Sequence, residues 1–249
     1  MDMLNENNRN MNIQYATLSK TGKRSNNEDA FNVIQSDDNS RWLGIICDGL
    51  GGHAFGEVAS ETVIKAFTDY WMENDKEKDT EDKVNNACLF AYNELNKCAD
   101  SFKHADMGTT MVMASIEGNI VTVAHIGDSR CYILRKDGGL LYQTEDHVNQ
   151  FLGWETLSRC FFSYNASNHV PDIVQLHLEA GDRILLCSDG LYKSIYPYIL
   201  QERMMDNKSP EDILDTFNFL CEKNGDDNYT AILAYIESVS YTHLRAHET

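Results

Sequence analysis

The sequence predicts an α+β domain in which helices pack on antiparallel sheets. Three observations predict it. Short β-branched runs recur along the chain between turn residues. Two long amphipathic helical patterns stand side by side between the third and fourth of these runs. The runs before and after that pair do not alternate with single helices, as a βαβ chain would require.

The strand candidates are Ile13–Leu18, Phe31–Gln35, Trp42–Cys47, Thr110–Ile116, Ile120–Ile126, Cys131–Arg135, Ile173–Leu178, Arg183–Cys187 and Thr230–Ile236. Glu117-Gly118-Asn119 and Asp137-Gly138-Gly139 punctuate them as turns. In the second helical segment the apolar positions are Val84, Ala87, Cys88, Ala91, Tyr92, Leu95, Cys98, Ala99 and Phe102, spaced by threes and ones as one buried stripe. Ala59, Val63, Ala66, Phe67, Tyr70 and Trp71 repeat the pattern earlier. A third helix is expected from about Pro210 to Leu220. Ser209 suits the N-cap, Pro210 the first turn, and Asp212 completes a capping-box pattern.

Composition narrows the function. The 249 residues hold 21 Lys+Arg against 39 Asp+Glu, a net charge of −18. Such a surface repels a phosphate backbone and an anionic membrane, which argues against nucleic acid or lipid as partner. It suits divalent cations. The run from Glu73 to Asp82 reads as a solvated face. The seven cysteines include no C-x-x-C pair, and several sit in apolar runs such as Ile45-Ile46-Cys47. They read as buried free thiols of a reducing compartment rather than as disulfides or a zinc site. The polar N-terminus has no signal-peptide pattern, and no apolar run approaches the roughly 18 residues that span a bilayer. A cytoplasmic location is expected.

The informative carboxylates lie at strand ends. Asp48 closes the run Leu43–Cys47 before Gly49. Asp128 follows Ile126-Gly127. Asp189 follows Cys187-Ser188 and precedes Gly190. Asp227 stands before the last strand, and Glu28 and Asp29 before the strand opening at Phe31. A rigid strand ending in aspartate and glycine points a carboxylate into a cleft, and hard cations such as Mg²⁺ and Mn²⁺ prefer several such oxygens. A single Asp-Gly after a strand is ordinarily a turn, as Asp137-Gly138 is read here. Only the ordered set carries weight.

That set resembles the PPM-type, or type 2C, metal-dependent protein phosphatases, in the bacterial branch. The blocks are Gly22–Ala30 (GKRSNNEDA), Cys47–His53 (CDGLGGH) with Gly56-Glu57, Met107–Thr110 (MGTT), Gly127–Arg130 (GDSR) with Asp146-His147, Gly181-Asp182 through Leu186–Leu191 (LCSDGL), and Asp227–Thr230 (DNYT). Each is weak alone; their order over most of the chain is specific. The resemblance implies a four-layer α-β-β-α sandwich with two central antiparallel sheets. It also implies a single phosphatase domain over residues 1–237, with 1–12 expected to be flexible. Residues 238–249 are either a disordered tail or foreign to the domain.

The resemblance implies roles residue by residue. Asp48 would bridge two Mn²⁺ or Mg²⁺ ions, and the Gly49 carbonyl would bind one of them. Asp189 and Asp227 would complete the second ion's shell, with Glu28 touching that ion directly or through water and Asp29 supporting from behind. Asp128 would serve an additional, weaker cation. Arg24 would hold the substrate phosphate, since a guanidinium matches phosphate oxygens bidentately. The implied reaction is hydrolysis of phosphoserine or phosphothreonine in proteins by an activated water, without a phosphoenzyme. The implied partners are phosphoprotein substrates, those of a bacterial-type Ser/Thr kinase among them, and a monomer is expected.

Two departures stand out. Where eukaryotic relatives have a histidine directly after Asp-Gly, this chain has Leu50, so His53 is read as supporting its loop rather than as a proton donor; His147 is also read as structural. The flap expected between Asp146-His147 and Gly181-Asp182 is shortened and rewritten over Val148–Asp172, and only Leu157-Ser158-Arg159 is similar to its usual pattern. Because this loop flanks the cleft in the family, the change bears on substrate choice.

Overall fold

The computed structural model describes residues 11–37, 41–50, 55–77, 79–151 and 153–238. Gly51, Gly52, His53, the first ten residues and those after Ser238 lie outside the described residues. In chain order the elements are β1 (Met11–Lys20), β2 (Asp29–Gln35), β3 (Arg41–Asp48), α1 (Gly56–Glu73), α2 (Thr80–Ser101), β4 (Gly108–Thr109), β5 (Met111–Glu117), β6 (Ile120–Ile126), β7 (Arg130–Leu134), β8 (Leu140–Gln143), β9 (Val148–Phe151), β10 (Trp154–Leu157), β11 (Phe161–Phe162), β12 (Asp172–His177), β13 (Arg183–Cys187), α3 (Asp189–Ser194), α4 (Pro197–Met204), α5 (Pro210–Asn224) and β14 (Tyr229–Ser238).

Two five-stranded antiparallel sheets form the centre, one in the order β1-β14-β13-β7-β8 and the other β12-β6-β5-β3-β2. Strand alternation explains why they stack. In β3, Leu43, Ile45 and Cys47 face the helices α1 and α2, while Trp42 and Ile46 face the opposite sheet. In β13, Leu185 and Cys187 face α3, α4 and α5, while Ile184 and Leu186 meet Ile46, Val112 and Ile232 between the sheets. Both faces of these strands are buried, so they read as continuous apolar runs. Three cores in four layers follow: helix–sheet, sheet–sheet and sheet–helix. The seven cysteines are free, and all but Cys98 are buried.

The expected strands appear with bounds shifted by at most two residues, and the expected helices appear as α1, α2 and α5. Ser209 caps α5, its hydroxyl accepting the Asp212 N–H at 3.2 Å. β1 begins at Met11, inside the stretch expected to be flexible, because Met11 and Asn12 pair with Ser238 and Glu237 of β14. Sequence reading missed α3, α4, β4 and β8 to β11. They are short, and β8 is an edge strand whose Leu140 is exposed. The rewritten flap holds the β9–β10 hairpin, then β11 and a 3₁₀ turn over Ala166–His169. Among the described residues no helix is long and apolar enough to cross a membrane.

Candidate metal centre

Antiparallel pairing gathers the strand-end carboxylates at one edge of the sandwich. β2 starts where β3 ends, so Asp29 lies opposite Asp48. β13 ends beside the start of β14, which brings Ser188-Asp189 next to Asp227-Asn228. The turn from β6 to β7 adds Asp128 from a crossing between the sheets. Arg24, Glu28, Asp48, Gly49, Asp128, Asp189 and Asp227 all line one cavity of about 420 Å³. The structure therefore brings the complete sequence-predicted set together. Asp29 stands behind the cavity wall, where its Oδ2 accepts the Ser188 hydroxyl at 2.7 Å. A second cavity, of about 460 Å³ beneath Trp71, has no such convergence of carboxylates; there Asp75 is paired with Arg41.

The backbone that carries the carboxylates is fixed by hydrogen bonds of its own. The Asp48 N–H donates to Thr110 Oγ1 at 3.1 Å, and its carbonyl accepts from Thr109 Oγ1 at 2.9 Å and the Thr110 N–H at 2.8 Å. The Glu28 carbonyl accepts from Ser60 Oγ at 2.6 Å and the Gly49 N–H at 3.0 Å. A Cβ on Gly49 would lie 2.7 Å from that same carbonyl oxygen, so only glycine lets the two loops approach. Asn228, 6% exposed, ties the Arg24-bearing loop to β14 through Thr21, Asn26 and Glu28. Arg24 Nη2 contacts Asp227 Oδ2 at 2.8 Å. Gly127, beside Asp128, is gripped by His147: the Gly127 N–H donates to Nδ1 and the His147 N–H donates to the Gly127 carbonyl, each at 3.0 Å. Arg130 pairs bidentately with Asp146 and lies 3.7 Å over the Tyr192 ring, which seats α3 against β7.

The charges in this cluster oppose one another. Burial and the neighbouring Asp29, Asp189 and Asp128 carboxylates hold the Asp48 carboxyl well above its ordinary range. Burial and Asp189 push Asp128 up to about 6, and burial pushes Asp29 up to about 7. Asp29 Oδ1 is buried without a hydrogen-bond partner among the described residues. An all-oxygen set of mutually repelling carboxylates, one with an orphaned atom, fits hard divalent cations such as Mg²⁺ or Mn²⁺. His125, His147 and Asp172 also lie close together. That group is not suited to a metal, because the His147 Nδ1 lone pair already accepts the Gly127 N–H and its Nε2 faces Asp172 as a donor at 3.0 Å.

Sequence reasoning missed four contributors. Thr109, Thr110 and Asn228 stood in the quoted motifs without a role. Lys193, which reaches Asp189 at 2.6 Å, gave no signal beyond its i,i+4 spacing.

The chain is similar to known proteins over most of its length. The chain is 29% identical over 234 residues to the serine/threonine phosphatase stp of Listeria welshimeri, covering 84% of this chain and 90% of that one. The serine/threonine phosphatase of S. agalactiae superposes with a TM-score of 0.79 at 27% identity, over 90% of this chain and 100% of the other. The catalytic domain of the phosphatase PstP, solved with two manganese ions, superposes with a TM-score of 0.77 at 28% identity, over 92% and 100%. Residues 18–235 match the family model described as protein phosphatase 2C, a span that holds every carboxylate of the cavity, and the chain belongs to that family.

Proposed function

We propose that the chain hydrolyses phosphoserine and phosphothreonine in proteins at a pair of divalent cations. One observation carries the reading: five carboxylates and one arginine, from five separate segments, converge on a single open cavity. The relatives' names and the two manganese ions of PstP support it.

Asp48, which feels the charges of Asp29, Asp189 and Asp128, is the group the two cations would share. The Gly49 carbonyl, Asp189, Asp227 and Glu28 would complete their shells. When bound, the pair supplies a water acidic enough to attack phosphorus at neutral pH and positive charge facing the phosphoryl oxygens. Arg24, whose side chain is 53% exposed, uses one nitrogen on Asp227 and turns its remaining donors to the substrate phosphate. The Asp29–Ser188 bond ties the start of β2 in one sheet to the end of β13 in the other, behind the cleft. The described residues lining the cavity include no cysteine or histidine, and its carboxylates are taken as cation ligands, so water is the proposed nucleophile and no phosphoenzyme is invoked. Leu157, at the end of β10, brings the rewritten flap to the cavity wall, where it would meet the protein that bears the phosphate.

The substrates are then phosphoproteins produced by a serine/threonine kinase of bacterial type, and the setting is cytoplasmic signalling by a monomer. The test is phosphate release from a phosphothreonine peptide with Mn²⁺, with Mg²⁺ and with EDTA. Release should need metal and vanish in a folded Asp189→Ala variant; undiminished release from that variant would overturn the ligand assignment.

A further inference from the structure

Beside the acidic cleft, and in addition to Arg24, stands a second cation. Lys193 Nζ lies 2.6 Å from Asp189 Oδ2 and 3.7 Å from Asp128 Oδ2. The first contact follows from helical spacing, since i and i+4 meet on any helix. The second does not follow from it. Asp128 belongs to the β6–β7 turn, its side chain is only 12% exposed, and among the described residues Lys193 is the one cation within 4 Å of it. The seating of Tyr192 under Arg130, one residue away on α3, fixes where Lys193 emerges.

The charge count points the same way. Glu28, Asp48, Asp128, Asp189 and Asp227 bring five negative charges to the cavity. Two divalent cations offset four of them. Lys193 offsets the fifth, and Arg24, which holds Asp227 through one nitrogen, keeps its remaining donors for the incoming phosphate.

We propose that Lys193 is the resident cation of the corner between Asp128 and Asp189, taking the place of an additional divalent ion, so that the cleft takes up two divalent cations and not three. This revises the role expected for Asp128, and it rests on the two-cation reading above. An ammonium is a point charge with three donors and brings no coordinated water. Lys193 therefore acts by position and charge: it neutralises Asp128 and holds the Asp189 carboxylate on its helix.

The test is calorimetric titration of the chelator-stripped full chain with Mn²⁺, with thermal melting to verify folding. Wild type should bind two ions. Lys193→Met, which keeps the length and removes the charge, should gain a third, weaker site. Lys193→Arg should return to two, and so should Lys193→Met combined with Asp128→Asn, because the new site needs the Asp128 carboxylate. Three ions in wild type, or two in Lys193→Met, would overturn the inference while leaving the two-cation reading intact. Fewer than two in wild type would overturn that reading and the inference built on it.

Discussion

Asn228 holds Glu28 by its backbone: Asn228 Oδ1 accepts the Glu28 N–H at 2.9 Å, while Nδ2 donates to the carbonyls of Thr21 and Asn26 at 2.8 Å each. One side chain thereby places both Arg24 and Glu28 against the start of β14. Asn228→Ala removes three bonds of roughly 1 kcal/mol each. A loss of about 3 kcal/mol, or roughly 6–12 °C in melting temperature, is expected. Phosphate release should fall by about 10–100-fold, the range found when supports of a metal site are removed. A variant that melts and turns over like wild type would show that Asn228 is not the clamp.

Asp48 separates stability from activity. Its carboxylate is buried among Asp29, Asp189 and Asp128, and no cation contacts it among the described residues. Asp48→Asn removes that repulsion while keeping the shape. In EDTA the variant should melt higher than wild type. In Mn²⁺ the order should reverse, because wild type gains binding energy that the amide forfeits, and activity should drop by at least about 100-fold. A variant that melts lower than wild type in EDTA would contradict the repulsion.

Much of this was legible in the sequence, and the illegible parts share a cause. β3 and β13 announce themselves because both faces are buried, and their terminal aspartates stand out against the apolar runs. The α5 cap is local chemistry among Ser209, Pro210 and Asp212. The Asn228 clamp is different, because its partners Thr21 and Asn26 lie more than 200 residues away in sequence and only folding brings them near. α3 was hidden because Asp189-Gly190 reads as the turn that ends a strand, when it is also the first turn of a helix. The contact of Lys193 with Asp128 depends on where α3 sits, which no local pattern states.

His125 gives the fold an acid-sensitive point. The ring is 3% exposed, Nε2 faces the Glu145 carbonyl at 2.8 Å, and Nδ1 has no partner among the described residues. Burial lowers its pKa below 6.5; the Glu145 carbonyl and Asp172 oppose that shift, while His147 and Arg159 reinforce it. A histidine whose folded pKa lies below its unfolded value favours folding while neutral. That stability is present above about pH 6.5 and declines as pH falls below it, where the unfolded chain takes up the proton first. The raised Asp29, Asp48 and Asp128 carboxyls act in the opposite direction over the same range, so the His125 contribution is read as a difference: wild type should lose melting temperature relative to His125→Gln on acidification below pH 6.5. Parallel pH profiles for the two proteins would assign the acid sensitivity elsewhere.

Gly190 sets how closely α3 approaches the last strand. A Cβ at this position would collide with the Asn228 carbonyl oxygen and lie 3.3 Å from Asp227 Cβ. Neither neighbour can yield: Asn228 is committed to three bonds, and Asp227 carries the contact with Arg24. Gly190→Ala must push α3 outward, and Asp189, the residue before it, moves away from Asp227. Overpacking of this kind typically costs about 1–3 kcal/mol. The larger effect should fall on the cations, because two of their proposed ligands would separate. Mn²⁺ affinity is expected to drop by at least about tenfold, consistent with a disturbed metal shell, in a variant that still melts cooperatively a few degrees below wild type. Wild-type affinity in Gly190→Ala would mean that the spacing between Asp189 and Asp227 does not govern metal uptake.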